Sequence, residues 1–172
     1  MAMIHDVAGD ILMSEAQVIA HGVAPGDHFD TGLALALRER YPSLAKDFRH
    51  ECRVNHPKAG GIWVWAGAGE TGSVRIVNLL TQEAAENATE RPGKATLENV
   101  GHALKALARY AQEEKITSLA LPRLATGVGG LDWADVKPLV ERHLGALDIP
   151  VYVYTVYHKD QKAAEPGLPA AA

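Results

Sequence analysis

Apolar residues recur along this chain at two different spacings, and the spacing changes at short polar or glycine-rich segments. Short runs rich in β-branched and aromatic residues predict strands. Such runs occur at residues 3–7, 18–20, 62–66, 74–79, 118–121 and 151–156. Between them, apolar residues return at helical spacing. Strands that alternate with helices favour an α/β layered domain with a largely parallel or mixed central sheet.

The clearest helical pattern covers residues 96–115, and Thr96 is expected to cap its first turn. Further helices are predicted from residue 30 or 31 to just before Pro42, over residues 43–52 and over residues 134–144. A proline removes a hydrogen bond from a helix interior, so Pro138 predicts that the last helix begins a residue or two after the start that Asp132 indicates.

Residues 158–172 are small and polar, contain two prolines and lack a periodic apolar face. Such a segment buries too little surface to offset the entropy of ordering. We therefore expect a folded domain over residues 1–157 and a flexible C-terminal tail over residues 158–172.

Composition narrows the class of protein. With 47% apolar residues, 22% charged residues and a net charge of −4, the chain lacks the basic character of a nucleic-acid-binding domain, and a nucleic-acid partner is not expected. Cys52 is the single cysteine, which excludes an internal disulfide. Residues 1–6 do not begin a secretory leader, and no apolar run approaches the ~20 residues that span a bilayer. We expect a cytoplasmic monomer with no membrane partner.

Ligands of α/β sheets bind where loops leave the carboxyl ends of strands, which points to residues 22–32, 81–93 and 123–132. In the last of these, Gly127, Gly129 and Gly130 allow close approach of the backbone to a ligand. Consecutive N–H groups beside a helix N-terminus bind anions, and a diphosphate is the expected guest. The alternative is a tight turn without a ligand. Neither the Rossmann nor the P-loop spacing is present.

Asp10 directly follows a predicted strand and a glycine. Its carboxylate is placed to accept a hydrogen bond from the amino group of a base, or to cap a turn. The eight histidines show no metal-ligand spacing, and we expect neither a metal nor a cofactor.

Four segments in this order resemble macrodomains: GDIL at residues 9–12, IAH at 19–21, GLA at 32–34 and PRLATGVGGLDW at 122–133. The similarity is to the branch that contains the terminal ADP-ribose glycohydrolase, the macrodomain antitoxins and a fungal ADP-ribose 1″-phosphatase. It implies a three-layer α/β/α fold with a mixed sheet, and partners that are ADP-ribose and mono-ADP-ribosylated proteins.

The resemblance also implies roles for individual residues. Asp10 would bind the adenine amino group with the Ile11 backbone beside it, and Tyr154 would pack on the adenine face. The loop from Ala125 to Leu131 would wrap the diphosphate, and residues 22–32 would border the distal ribose. The complete set of ligand-binding residues is Asp10, Ile11, His21, Gly32, Thr81, Ala125, Thr126, Gly127, Val128, Gly129, Gly130, Leu131 and Tyr154.

The catalytic pattern of the glycohydrolase is not retained. Gln82 stands where that enzyme has its lysine nucleophile, and Gly130 stands where it has an acid. Glutamine cannot form a Schiff base, so a covalent lysyl mechanism is excluded at this position. Gln82, Asp132 and His21 are the catalytic candidates, although Asp132 can instead cap a helix and His21 can instead hold its loop.

These features predict a mono-ADP-ribosylhydrolase that removes ADP-ribose from acidic side chains of modified proteins by positioning a water. Two alternatives remain open: a non-catalytic reader of ADP-ribosylated targets, and a phosphatase acting on ADP-ribose 1″-phosphate. Removal of ADP-ribose from DNA is a weaker possibility, because the net charge of −4 disfavours a duplex substrate.

Overall fold

The computed structural model describes residues 3–69, 72–87 and 92–168. Its strands are β1 (Met3–Gly9), β2 (Val18–Val23), β3 (Ile62–Gly69), β4 (Gly72–Leu80), β5 (Leu119–Pro122) and β6 (Pro150–Tyr157). Its helices are α1 (Gly32–Arg40), α2 (Pro42–Asn55), α3 (Leu97–Glu113) and α4 (Trp133–Leu144), and a 3-10 turn (Ile11–Met13) follows β1. Each predicted strand and helix is confirmed near its predicted place. No helix in this part of the chain is long and apolar enough to cross a membrane.

The strands form one mixed sheet in the order β1-β6-β5-β2-β4-β3. Neighbouring strands are parallel from β1 through β4, and β3 is antiparallel to β4 at the far edge. The carboxyl ends of five parallel strands therefore meet at one edge of the sheet, where α/β proteins bind their ligands.

Helices cover both faces of the sheet, as alternation along β4 shows. Val77 and Leu79 pack into the cluster that contains α3 and α4, whereas Ile76 and Leu80 pack into the cluster that contains α1 and α2. Successive strand residues point to opposite faces, so a buried strand between two helical layers is apolar on both sides. The three-layer α/β/α fold is confirmed.

Two helix ends test the local predictions. Thr96 caps α3 as expected, because its Oγ1 accepts a hydrogen bond from Asn99 N at 3.0 Å. The delayed start predicted from Pro138 is wrong: α4 begins at Trp133, directly after Asp132, and Pro138 lies inside it. Pro138 has no N–H to donate to the carbonyl of Ala134, and because Ala134 is exposed, water can take that acceptor.

The segment after β6 differs from the flexible tail that its composition predicts. Residues 158–168 run back along the 3-10 turn that follows β1, and Asp10 N donates to Gln161 O at 2.7 Å. Ala163 is buried against the sheet in a cluster with Val7 and Tyr154. Specific polar partners and the burial of Ala163 thus hold a segment that has no periodic apolar face. The end of the predicted tail, residues 169–172, lies outside the described residues.

Candidate functional site

A first cavity of about 420 Å³ opens at the carboxyl ends of β1, β5 and β6. Its floor and walls are mainly apolar, with Ile11, Leu12, Leu33 and Pro122 among the lining residues. Asp10, Tyr154 and Tyr157 supply its polar groups. A mostly apolar pocket with a few fixed polar groups is typical of a site for a small organic ligand.

Asp10 is buried, and both of its carboxylate oxygens already accept a backbone hydrogen bond. Oδ1 accepts from Leu12 N at 3.0 Å, and Oδ2 accepts from Asp160 N at 3.0 Å. Asp10 therefore caps the turn, as one of the two alternatives predicted, and it also lines the cavity. A carboxylate has about four acceptor positions, so it keeps capacity for a donor on a ligand.

Two tyrosines of β6 border this cavity. Tyr154 is almost buried, and its hydroxyl donates to Glu165 Oε2 at 2.8 Å. Burial, with a contribution from Glu165, raises the pKa of Tyr154 well above its usual range, so the hydroxyl stays protonated. Tyr157 is 66% exposed and lies at the rim.

A second cavity of about 710 Å³ adjoins the first and shares Gly32, Leu33 and Pro122 with it. Its lining is more polar and is drawn from the loops after β2, β4 and β5. The residues that carry its chemistry are His21, Asp27, Gln82, Arg123, Gly127 and Gly129. The two cavities together form a groove that an elongated ligand with two different ends would fit.

The glycine-rich loop after β5 forms one wall of the second cavity. Gly130 N donates to Gly127 O at 3.1 Å, and Leu131 N donates to Ala125 O at 2.9 Å, which folds the loop on itself. Gly130 has φ 78°, which glycine adopts without strain. The N–H groups of residues 127–129 donate to no acceptor among the described residues. Unpaired N–H groups beside the start of α4 favour an anion.

His21 lies at the inner end of the second cavity and is buried. Its Nε2 is 2.7 Å from Asn78 Oδ1, while Asn78 Nδ2 donates to Trp63 O at 3.1 Å. Asn78 Oδ1 is therefore the acceptor, the proton of the ring is on Nε2, and Nδ1 keeps its lone pair. Burial lowers the pKa of His21 to about 4. The ring is neutral near pH ~7 and acts as an acceptor.

Asp27 supplies a carboxylate to the same cavity. Its Oδ1 accepts from Phe29 N at 2.8 Å and its Oδ2 accepts from Ala24 N at 3.2 Å. Phe29 is fully buried beside His21, with ring centroids 5.6 Å apart, and so anchors this loop to the core. Both the loop and the carboxylate are held in place before any ligand binds.

A sequence model of the Macro domain matches residues 25–140, which include the second cavity and the glycine-rich loop. The chain belongs to the Macro domain family. This macrodomain is 28% identical over 148 residues to a DNA ADP-ribosyl glycohydrolase of Mycobacterium tuberculosis, a match that covers 86% of this chain and 40% of that protein. The chain thus spans about two-fifths of the length of the mycobacterial DNA ADP-ribosyl glycohydrolases that it matches.

Two further relatives match this macrodomain over most of both chains. The human ADP-ribose glycohydrolase OARD1 is 24% identical over 151 residues, which is 87% of this chain and 90% of that protein. The solved macrodomain of Thermus aquaticus DarG superposes with a TM-score of 0.75 at 25% identity, covering 90% of this chain and 99% of that one.

Most of the predicted ligand-binding residues come together in this macrodomain. Those that line one of the two cavities are Asp10, Ile11, His21, Gly32, Ala125, Gly127, Val128, Gly129 and Tyr154. Thr126, Gly130 and Leu131 belong to the glycine-rich loop but lie outside the lining. Thr81 lies directly behind the lining, because a Cβ added at Gly22 would be 2.7 Å from its Oγ1.

The three catalytic candidates have different surroundings. His21 and Gln82 line the second cavity, and Gln82 Nε2 donates to Gly93 O at 3.1 Å, while Oε1 accepts from no donor among the described residues. Asp132 is exposed at the N-cap position of α4, outside the cavity lining, and its side chain makes no capping bond. The structure therefore does not bring Asp132 together with the other two candidates.

Several lining residues were missed by sequence reasoning. Asp27 lies in a loop that was predicted as a whole, and no motif distinguishes its side chain; Arg123 is part of the motif at residues 122–133 but was given no role. Tyr157 was missed because regular alternation along β6 would place it opposite Tyr154. The β1–β6 pairing skips Thr155, since Val7 pairs with Tyr154 and Ala8 with Val156. Such a bulge reverses the alternation and turns Tyr157 to the cavity.

Proposed function

We propose that this macrodomain binds ADP-ribose along the two adjoining cavities and hydrolyses the ester that links ADP-ribose to an acidic side chain of a modified protein. The observation that carries the proposal is the order of groups along the groove. A buried carboxylate lies at one end, unpaired N–H groups lie in the wall of the second cavity, and fixed polar side chains lie at its inner end.

The chemistry of the first cavity fits adenine. Asp10 offers a carboxylate that can accept from the amino group of the base, and Tyr154 and Tyr157 offer aromatic surface. A hydrogen bond to a charged group contributes about 1.5–3 kcal/mol, enough to favour a base that donates at this position.

The glycine-rich loop fits the diphosphate. Its N–H groups at residues 127–129 donate to no described acceptor and precede the N-terminus of α4 by a few residues, and the partial positive charge of a helix N-terminus favours anions. The side chain of Arg123 is exposed at the same cavity and adds a positive charge. No described lysine lines either cavity, which agrees with a mechanism without a lysyl adduct.

At the inner end, we infer that a water oxygen attacks C1″ of the distal ribose while the bond from C1″ to the ester oxygen breaks. The electron pair leaves with a carboxylate, whose pKa of about 4.3 makes it a stable anion without an acid catalyst. The Asp27 carboxylate stabilises the positive charge that develops at C1″ and receives the proton of the water. His21 Nδ1 and Gln82 Oε1 accept hydrogen bonds that orient the water or the ribose.

The test is incubation of the purified chain with a protein that is mono-ADP-ribosylated on glutamate, following release of ADP-ribose beside a calorimetric titration of ADP-ribose. Multiple-turnover release is expected. Asp27→Asn should lower turnover by roughly 100-fold, since it removes one charged group from the transition state, while binding changes far less. Lys94→Ala is the control, because Lys94 lies near the glycine-rich loop but does not line the cavity. Its Cδ is 4.0 Å from the position that a Cβ at Gly130 would take.

Binding without release would contradict hydrolysis and leave the reader, and phosphate release from ADP-ribose 1″-phosphate would favour the phosphatase. A second substrate is favoured by a specific observation, since the Mycobacterium relative is named a DNA ADP-ribosyl glycohydrolase. An ADP-ribosylated oligonucleotide therefore belongs in the same assay. Faster release from the oligonucleotide than from the protein would assign the activity to DNA.

A further inference from the structure

The C-terminal strap, defined as residues 158–168, lies against the end of β1 at the wall of the first cavity. His158 N donates to Gly9 O at 3.2 Å, and Asp10 N donates to Gln161 O at 2.7 Å. Asp160 N completes the contact by donating to Asp10 Oδ2 at 3.0 Å. The strap thus bonds both the backbone and the carboxylate of the residue that faces the ligand.

Glu165 makes a second contact between the strap and the same cavity. Its Oε2 accepts from Tyr154 OH at 2.8 Å and from Ser14 Oγ at 2.6 Å, and its Oε1 accepts from Glu15 N at 2.9 Å. Three donors from two different segments therefore converge on one carboxylate. This contact fixes the aromatic wall of the cavity, because Tyr154 is one of the rings that line it.

The strap is packed without spare room. Ala163 is buried, and a Cβ added at Gly9 would lie 2.8 Å from Ala163 N and from Gln161 O. Contacts that short require the neighbouring backbone to move. Gly9 therefore permits the strap to approach Asp10, and the two segments are complementary in shape as well as in hydrogen bonding.

We propose that the C-terminal strap sets the base specificity of the site, with Asp160 and Glu165 as positioning residues that act through Asp10 and Tyr154. This inference rests on the proposed function and deepens it. A carboxylate whose orientation is fixed by two N–H donors presents its remaining lone pairs in constant directions. It accepts from the 6-amino group of adenine and repels the 6-oxo group of hypoxanthine or guanine, which is also an acceptor.

The alternative is that the strap contributes stability alone. Base discrimination separates the two, because a purely structural element would change the melting temperature and leave the relative affinity for two bases untouched. A charged hydrogen bond accounts for roughly 10- to 100-fold in affinity. A variant can therefore lose up to that factor in its preference for adenine over hypoxanthine.

The experiment titrates ADP-ribose and inosine diphosphate ribose into the full chain and compares the ratio of their dissociation constants. Glu165→Ala releases Tyr154, and Gly9→Ala displaces the strap from the opposite side. Both variants are expected to reduce the preference for ADP-ribose by about 3- to 10-fold. This is less than the full contribution of a charged hydrogen bond, because Asp10 itself is retained. Lys162→Ala is the matched control in the same segment, because its ammonium contacts Glu15 and touches neither Asp10 nor Tyr154.

An unchanged ratio in either folded variant would overturn the inference, as would a wild-type chain that binds both ligands equally well. Failure of the wild type to bind ADP-ribose at all would instead remove the proposed function. Amide hydrogen exchange of the wild type gives a readout that needs no variant. The amides of His158, Asp160 and Gln161 should be protected, and more so with ADP-ribose bound; exchange at the rate of a free peptide in the complex would contradict the strap.

Discussion

At the scale of single residues, the protonation state of His21 is decided by its surroundings. The ring is buried, and its Nε2 is hydrogen-bonded to Asn78. Burial lowers the pKa to about 4, although the hydrogen bond to Asn78 and the charge of Asp27 act in the opposite direction. A neutral ring beside the carboxylate of Asp27 can orient a water without competing for its proton.

This state makes the stability of the fold depend on pH. The pKa of His21 is about 4 in the folded chain, against 6.5 for an unperturbed histidine, so the unfolded chain binds more protons between these values. The contribution of His21 to the free energy of unfolding is complete above pH 6.5 and is lost as the pH falls towards about 4. We expect the free energy of unfolding to fall by about 3 kcal/mol between pH ~7 and pH ~4 from this group.

Urea unfolding of the wild type and His21→Gln at several pH values measures that contribution. The variant should lack this part of the pH dependence, since glutamine has no proton to gain. His50→Gln, which removes an exposed histidine of α2, is the control. An equal loss of stability on acidification in His21→Gln and the wild type would show that His21 is not the responsible group.

At the scale of elements, the glycine-rich loop needs a glycine at position 129 because neighbouring atoms lie very close to it, not because of its φ angle. Gly130 has a positive φ, whereas Gly129 is tight for another reason: a Cβ there would lie 2.7 Å from Ala125 O and 2.9 Å from Ala95 Cβ. Gly129 O also accepts from Ala95 N at 3.0 Å. The loop is thus attached to the segment before α3 as well as to itself.

Gly129→Val should therefore distort the loop and weaken ADP-ribose binding by more than roughly tenfold, because the N–H groups would no longer converge on the diphosphate. Calorimetric titration measures the effect. Gly101→Ala in α3 also adds a Cβ, in ordinary contact 3.8 Å from His143 Nε2, and should bind normally. Normal binding by Gly129→Val would mean that the loop is a turn without a ligand.

The same scale shows what the sequence can predict. Each strand and helix that local periodicity predicts is present in the structure. Periodicity is sufficient here because each element buries a face that its own residues define. The interior Pro138 of α4 was misjudged because the cost of one lost hydrogen bond depends on whether water reaches the carbonyl. The strap was missed because Glu165 gains its partners from residues distant in sequence, which composition does not encode.

At the scale of the whole molecule, the sheet brings the ends of β1 and β6 together with those of β2, β4 and β5 at one edge. This geometry joins Asp10 in the first cavity to Asp27 in the second through the shared wall of Gly32, Leu33 and Pro122. The sequence motifs predicted residues of both cavities, but they did not predict Asp27. The proposal that one ligand occupies both cavities depends on this strand order.

A comparison of ligand fragments tests this arrangement. AMP should occupy the first cavity, so Asp10→Ala should weaken the binding of AMP and ADP-ribose alike by about 1.5–3 kcal/mol, the value of a hydrogen bond to a charged group. Asp27→Ala lies in the second cavity and should leave AMP unaffected while weakening ADP-ribose, whose distal ribose reaches that end. In the double variant the losses for ADP-ribose should add, because distant sites without shared partners act independently. If Asp27→Ala weakened the binding of AMP as strongly as that of ADP-ribose, the two carboxylates would belong to one compact site. The ligand would then not extend along both cavities.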